Sequence, residues 1–476
     1  MVLMHLPNSP AFAPILFGIF ASGLTATMAN PALTHGELAW ILGHAEPQAV
    51  ITTPEGYSTL KKAITESHSR AVRNTLINND RIFIVDPSHD DYGLTDIAVA
   101  VAKGKALAGT RDWKTLLARQ PLKSPVPISE QDFHRRAAVV LWSSGTSGKS
   151  KGVVLSHASL VYNVATLWHI NLQYDANQRW LGFAPFYHTF GLANILLLSA
   201  ACGATVFVMA KFDPMSMLSH IQDYKVTFLH MAPPVAVILA KSPMLEGFNV
   251  KSVQGGVSGG APLPTKIIEL VYRRLGILIK MGYGLSETGS TSNQIGETWD
   301  ELEPQLGNSG VECYGVEIRI TSIDNPSQTL NRNDEGEILI RSHLLMNCYL
   351  NNPSATSEAL TQDGWFRTGD VGKIDSHGYL WITDRLKEVI KVKGFQVAPS
   401  ELENVLDGSP HIADAAVTGV FDASQATELP RAYIVPADKK LLEQCAPGKT
   451  DKTPELEKLA DEVRKLVESK TIKYKW

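Results

Sequence analysis

Short apolar runs alternate with longer amphipathic stretches through the first part of the chain. Residues 137–142, 204–209 and 227–229 have the composition of buried strands, whereas 155–168 and 262–275 repeat their apolar positions with helical spacing. That alternation predicts βα units around a mainly parallel sheet. Beyond Gly307 the pattern shortens to β-type pieces at 316–320, 336–341 and 378–382, divided by Asn, Asp, Gly and Pro turns. Past Asp384 come an apolar piece at 389–392, a helix-like 400–406, and two strands at 415–420 and 432–435. The expected fold class is therefore α/β. A large N-terminal domain of βα-layered sheets with a β-rich subdomain (1–383) is followed by a small, mobile α+β C-terminal domain (384–476). The last helix is the most legible: Thr453 can cap it, Pro454 suits its first turn, and Leu456, Leu459, Val463, Leu466 and Val467 form one stripe.

Two uncharged stretches need separate treatment. The first 36 residues contain no Lys, Arg, Asp or Glu, but a signal peptide needs a basic start, and Pro14, Gly18 and Gly23 interrupt 12–29. A close-packed core helix fits better. Residues 180–210 are broken by Pro185, His188, Gly191 and Asn194, which favours a buried strand, loop and helix. No membrane span is expected.

The 476 residues carry 44 Lys+Arg against 48 Asp+Glu, a formal charge of −4. With no long basic run, a nucleic-acid-coating protein is disfavoured, and a charged ligand must be gripped locally. Cys202, Cys313, Cys348 and Cys445 form no CxxC knuckle and are too few for a disulfide scaffold, so reduced thiols in a reducing compartment are expected.

The chemistry concentrates after the strand at 137–142, in Ser143-Ser144-Gly145-Thr146-Ser147-Gly148-Lys149-Ser150-Lys151-Gly152. Glycines permit tight turns, hydroxyls and amides can surround phosphate oxygens, and Lys149 and Lys151 offset their charge. A solvated Ser/Gly linker fits poorly between two apolar segments. The Walker A pattern is a near miss because Ser143 occupies its first glycine position, which demotes a conventional P-loop NTPase.

This loop resembles the nucleotide loop of the AMP-forming acyl-CoA synthetases, the adenylate-forming superfamily. Further segments agree in order and spacing: Gly282-Tyr283-Gly284-Leu285-Ser286-Glu287-Thr288 resembles the adenylate motif, and Trp365-Phe366-Arg367-Thr368-Gly369-Asp370 the ribose motif. Asp384 through Glu388 and Lys391 through Pro399 resemble the hinge and C-terminal catalytic loop, with the run from Lys393 to Glu403 most similar to 4-coumarate-CoA ligase-like enzymes.

The resemblance implies ATP and CoA as cosubstrates, Mg²⁺ as cofactor and a carboxylic acid as substrate. Ser143 to Lys149 and Lys151 would hold phosphates, and Thr146 and Glu287 the metal. Gly259, Gly260, Ala261, Tyr283, Gly284 and Ser286 would form the adenine slot and its surroundings. Asp370 would accept the ribose hydroxyls, with Arg385 and Lys387 reaching ribose or phosphate. His188 would gate and orient the carboxylate, beside an acyl pocket of His188, Phe190, Gly256 and Ser290. Lys391 and Gln396 would serve the thioester-forming stage, and Lys393 and Gly394 the CoA side. Read without the resemblance, His188 would be a satisfied core histidine and the basic cluster a solvated charge run.

Departures from the family pattern occur at Ser150, where proline is common, and at Ser286, where threonine is usual; both keep small size. The chain also resembles a ligase trimmed at both ends, lacking a distal lysine used in adenylation. The alternative to a carboxylate–CoA ligase is thus a nucleotide-binding remnant of one. A cytoplasmic location is expected, with a peroxisomal one as the alternative, although Tyr474-Lys475-Trp476 is no peroxisomal tripeptide.

Overall fold

The computed structural model describes residues 1–78, 80–86, 107, 109–117, 122–143, 150–170, 174–392, 395–422, 427–444 and 453–471. It is α/β throughout and divides into two compact units, 1–318 with 340–366 and 319–339 with 367–476. Asp384, where the sequence places a domain boundary, lies within the second unit.

Two sheets organise the first unit. One has eight strands in the order Cys348–Tyr349, Lys151–Ser156, Ala137–Ser143, Ala26–Met28, Val2–His5, Ala49–Thr52, Ile82–Ile84, Arg111–Asp112. The other has seven: Val311–Glu312, Gly289–Asn293, Leu278–Leu285, Gly255–Ser258, Phe228–Met231, Arg179–Gly182, Thr205–Val208. The central pairings are parallel in both. Their inner strands, such as Val2–His5, Ala26–Met28 and Phe228–Met231, are buried throughout, which is why they read as continuous apolar runs. Each sheet ends in antiparallel additions: Lys151–Ser156 and Cys348–Tyr349 in the first, Gly289–Asn293 and Val311–Glu312 in the second. These additions carry the candidate site.

Two elements differ from the sequence reading. The apolar stretch 12–29 is not one helix: Phe12–Ala21 buries Phe12, Ile15, Leu16 and Ile19, then the chain turns at Gly23 (φ +67°) into the strand Ala26–Met28. A left-handed φ at that turn is what glycine supplies without strain. Residues 155 and 156, read as helical, end the strand Lys151–Ser156, and the helix is His157–Ile170. The β-branched Val153 and Val154 are paired on both sides, and Ser156 Oγ accepts the Ser159 amide at 3.0 Å, capping the helix that follows.

A four-stranded sheet, most of it in the second unit, has the order Val316–Thr321, Gly336–Ser342, Phe366–Ile374, Leu380–Arg385. Two antiparallel ribbons follow, Ile390–Val392 with Phe395–Val397 and Ile412–Asp422 with Thr427–Pro436. Leu402 and Leu406 of helix Pro399–Asp407, together with Leu459 and Val463 of helix Pro454–Lys470, join Ile412 and Val417 in one core. Thr453 Oγ1 accepts the Leu456 amide at 3.4 Å, capping the last helix. Among the described residues, no helix is long and apolar enough to cross a membrane.

Two histidines lie in the first unit's core. His5 is buried with Nδ1 3.1 Å from Thr52 Oγ1, and burial lowers its pKa to about 4. His230 packs edge-on to Trp180, with ring centroids 4.7 Å apart, and burial lowers its pKa to about 3. Both are neutral when folded and regain an ordinary imidazole pKa near 6.5 on unfolding. Below that pH the unfolded chain therefore binds more protons, so stability falls with pH down to about 4 for His5 and about 3 for His230. Each contributes about 1.4 kcal/mol per pH unit within its window. His230→Phe should remove about one proton from the pH slope of the unfolding free energy between pH 6 and 4.5. Denaturant titrations across that range check it; an unchanged slope would show that His230 does not titrate as described.

Candidate functional site

The antiparallel additions of the two sheets of the first unit meet at Glu287. In the first sheet, Ser143 and Lys151 face each other as the last pair before the loop that joins their strands. In the second, Leu278–Leu285 and Gly289–Asn293 form a hairpin whose turn is Ser286 to Thr288. Thr288 Oγ1 accepts the Leu285 amide at 3.1 Å and fixes that turn. A Cβ on Gly284 would lie 2.2 Å from the Gly289 carbonyl oxygen, so only glycine permits this hairpin closure.

Glu287 is held by both of its ends. Its carbonyl oxygen accepts the Met346 amide at 2.7 Å. Its Oε1 accepts the Tyr349 hydroxyl at 2.8 Å and lies 3.5 Å from Ser143 Oγ. Burial, then the neighbouring Glu287 charge, push the Tyr349 phenol well above its usual range, so it stays protonated and donates. Lys151 Nζ sits 4.8 Å from the centre of the Tyr349 ring, a cation–π contact. Nothing in the sequence marks Tyr349 as part of this site. It lies in a two-residue strand far from the loop, and no spacing in Asn347-Cys348-Tyr349 announces the pairing.

The described residues contain no group of three or more His, Cys, Asp or Glu able to cage a metal. A single hard carboxylate beside the end of the strand that leads into the expected phosphate loop instead suits Mg²⁺ carried by a nucleotide, since that ion commonly binds through one or two carboxylates plus substrate phosphates. Glu287 fits this role. Thr146, the other expected metal contact, lies outside the described residues, as do Ser144, Gly145, Ser147, Gly148 and Lys149.

Of the expected acyl residues, Gly256 and Ser290 lie on strands of the second sheet, while His188 and Phe190 follow its strand Arg179–Gly182. His188 opens the short helix Thr189–Gly191, and its Nδ1 accepts the Phe190 amide at 3.3 Å. Its side chain reaches the surface, yet the protein packed about the ring lowers its pKa. The imidazole is thus neutral at neutral pH, and with Nδ1 accepting, Nε2 carries the proton. The Phe190 ring packs on Gly259, where a Cβ would stand 3.3 Å from Cε2, and the Met231 methyl packs on Gly256. Gly260 and Ala261 form an exposed bend after Gly255–Ser258. Half-buried Tyr283 lies opposite Ser292 in the hairpin, with Ser286 in its turn. The Ser290 amide donates to Asn163 Oδ1 at 3.1 Å.

The second unit holds another group. Asp370 is 5% exposed, lies opposite Arg385 in the sheet, and has Oδ1 3.4 Å from Arg385 Nε. Arg367, three residues earlier, makes an ion pair with buried Glu337 (Nη2 to Oε2, 2.6 Å). This pair anchors the strand that presents Asp370. Lys387 is exposed in the turn after Arg385. Asp384 Oδ2 accepts from the Ser400 amide and hydroxyl at 3.3 and 3.2 Å, tying that region to the start of helix Pro399–Asp407. Neither Glu337 nor Ser400 stood out from sequence, because each acts through a partner distant along the chain. Lys391 and Gln396 are opposite each other in the ribbon Ile390–Val392 with Phe395–Val397. Lys393 and Gly394 lie outside the described residues.

Residues 1–350 match the family described as AMP-binding enzyme. The chain is 33% identical over 437 residues to the probable 4-coumarate–CoA ligase 1 of Dictyostelium discoideum, covering 90% of this chain and 75% of that protein. It is 33% identical over 480 residues to 4-coumarate–CoA ligase 1 of Arabidopsis thaliana, covering 100% of this chain and 78% of the relative. Among solved structures, ATP-bound MatB from Rhodopseudomonas palustris shares the fold with a TM-score of 0.78 at 24% identity, over 100% of this chain and 82% of MatB. With a family match over residues 1–350, relatives a third identical over 90% or more of the chain, and a shared fold, this chain belongs to the AMP-binding enzymes, the adenylate-forming ligase family.

Proposed function

We propose that the chain activates a carboxylic acid with ATP as an acyl adenylate and then passes the acyl group to CoA. The observation that carries this reading is Glu287 Oε1 standing 3.5 Å from Ser143 Oγ, at the end of the phosphate-loop hairpin. In the first half-reaction, a substrate carboxylate oxygen bonds to the α-phosphorus of ATP while the bond to the leaving pyrophosphate breaks. In the second, the CoA thiolate sulfur bonds to the acyl carbon, and AMP leaves with the electrons of the acyl–oxygen bond. Mg²⁺, when bound with ATP, spreads the negative charge of the phosphate oxygens.

The chain's own groups have defined tasks in this scheme. Lys151 offsets phosphate charge, and Glu287 gives the metal a hard oxygen. His188 Nε2–H donates to the substrate carboxylate, a task its neutral state suits. Asp370 accepts from the ribose hydroxyls, and Arg385 with Lys387 approaches ribose or phosphate. Lys391 and Gln396 serve the thioester stage, with Lys393 and Gly394 on the CoA side. Phe190, Gly256 and Ser290, with Met231 packed on Gly256, favour an acid with an apolar body.

The direct test is carboxylate-dependent exchange of labelled pyrophosphate into ATP over a panel of aromatic, fatty and polyketide-type acids, followed by CoA thioester analysis. At least one acid should support both. ATP binding without exchange for any acid would favour the non-catalytic remnant instead.

The turn at Lys387 gives a second test. If it acts as the hinge between half-reactions, Lys387→Pro, which fixes φ and removes an amide donor, should slow thioester formation from supplied acyl-AMP and CoA. That loss should exceed any change in ATP affinity. Equal losses in both measurements would count against a hinge.

A further inference from the structure

Tyr349 touches both charged ends of the phosphate site and has no place in the scheme above. It lies opposite Val153 in the antiparallel ladder, so its ring runs along the strand face that begins at Lys151. Its backbone is fixed on both sides: its amide donates to Thr356 Oγ1 at 3.0 Å, and its carbonyl accepts the Asn352 amide at 3.1 Å. From this position the hydroxyl reaches Glu287 Oε1 at 2.8 Å, and the ring centre lies 4.8 Å from Lys151 Nζ. Tyr349 is 7% exposed, so its ring has little freedom to move. Among the described residues, both hydroxyl donors to the Glu287 carboxylate, Tyr349 and Ser143, go to Oε1.

We propose that Tyr349 is a positioning residue of the nucleotide site, its hydroxyl orienting Glu287 so that Oε2 is offered to Mg²⁺·ATP and its ring face seating Lys151 toward the phosphates. The proposal rests on the nucleotide-binding half of the function proposed above, and it adds one residue that joins the metal side to the phosphate side. An aromatic ring is required for the second task and a phenol for the first. Phenylalanine therefore separates them.

Calorimetry of ATP binding across a Mg²⁺ titration reads the first task without turnover. Tyr349→Phe keeps the ring and removes a hydrogen bond to a charged group, and should raise the half-saturating Mg²⁺ concentration about tenfold. ATP affinity without Mg²⁺ should change much less. Tyr349→Leu should weaken that metal-free affinity as well, because it removes the seat of Lys151. In a Glu287→Gln background, Tyr349→Phe should add little to the loss of Mg²⁺ response, since both changes act on one carboxylate. In steady-state assays, KM for Mg²⁺·ATP should rise more than kcat falls. An unaltered Mg²⁺ response in Tyr349→Phe, additive losses with Glu287→Gln, or equal weakening with and without metal would each overturn the proposal. If no acid supports pyrophosphate exchange but the Mg²⁺ response still moves with Tyr349→Phe, the ligase reading fails and the positioning role stands.

Discussion

A carboxylate beside a polyphosphate is repelled by it unless a cation lies between them, and that electrostatic constraint governs the candidate site. Glu287 cannot relax by swinging freely, because Met346 holds its carbonyl and Tyr349 its carboxylate. Lys151 brings compensating positive charge to the same ring. With a formal charge of only −4 over 476 residues, the protein's global field contributes little to gathering an anion. In the proposed function, that task falls to the local arrangement of one acid, one phenol and one lysine.

The architecture exists to hold that arrangement. Buried inner strands give each sheet of the first unit a rigid base, and the antiparallel strands added at the sheet ends carry the chemistry. A hairpin closed by Gly284 and Thr288 presents Glu287, while the Ala137–Ser143 and Lys151–Ser156 pair presents the loop ends. In the second unit the same logic recurs. Asp370 is delivered by a strand that the Arg367–Glu337 pair ties down, and Asp384 binds the start of the next helix through Ser400. Buried ion pairs gain little net stability after desolvation, so the value of Arg367–Glu337 lies in fixing where its strand sits.

Most of this was legible along the chain where chemistry and periodicity coincide. The buried strand at 137–142, the glycine-bounded segment that carries Glu287, the segment that carries Asp370 and the capped last helix all announce themselves by local residue patterns. The features that no local pattern announces depend on partners far apart in sequence. Tyr349 belongs to a strand of two residues, too short for any periodicity, and Glu337 and Ser400 act on residues 30 and 16 positions away. Residues 155 and 156 of the strand Lys151–Ser156 read as helix because their apolar run merges with the amphipathic helix that follows; only pairing on both sides separates them. The single helix expected over 12–29 failed for a different reason, since composition conveys burial but not where a left-handed glycine turns the chain.

The most direct measurement of the central claim is a crystal structure of the chain with ATP and Mg²⁺. The Glu287 carboxylate should coordinate the metal through one oxygen, with the Tyr349 hydroxyl still on the other and the Lys151 ammonium on the phosphate side of the ring. A metal coordinated without Glu287, or a Glu287 side chain turned away from Tyr349 in the bound state, would contradict that claim.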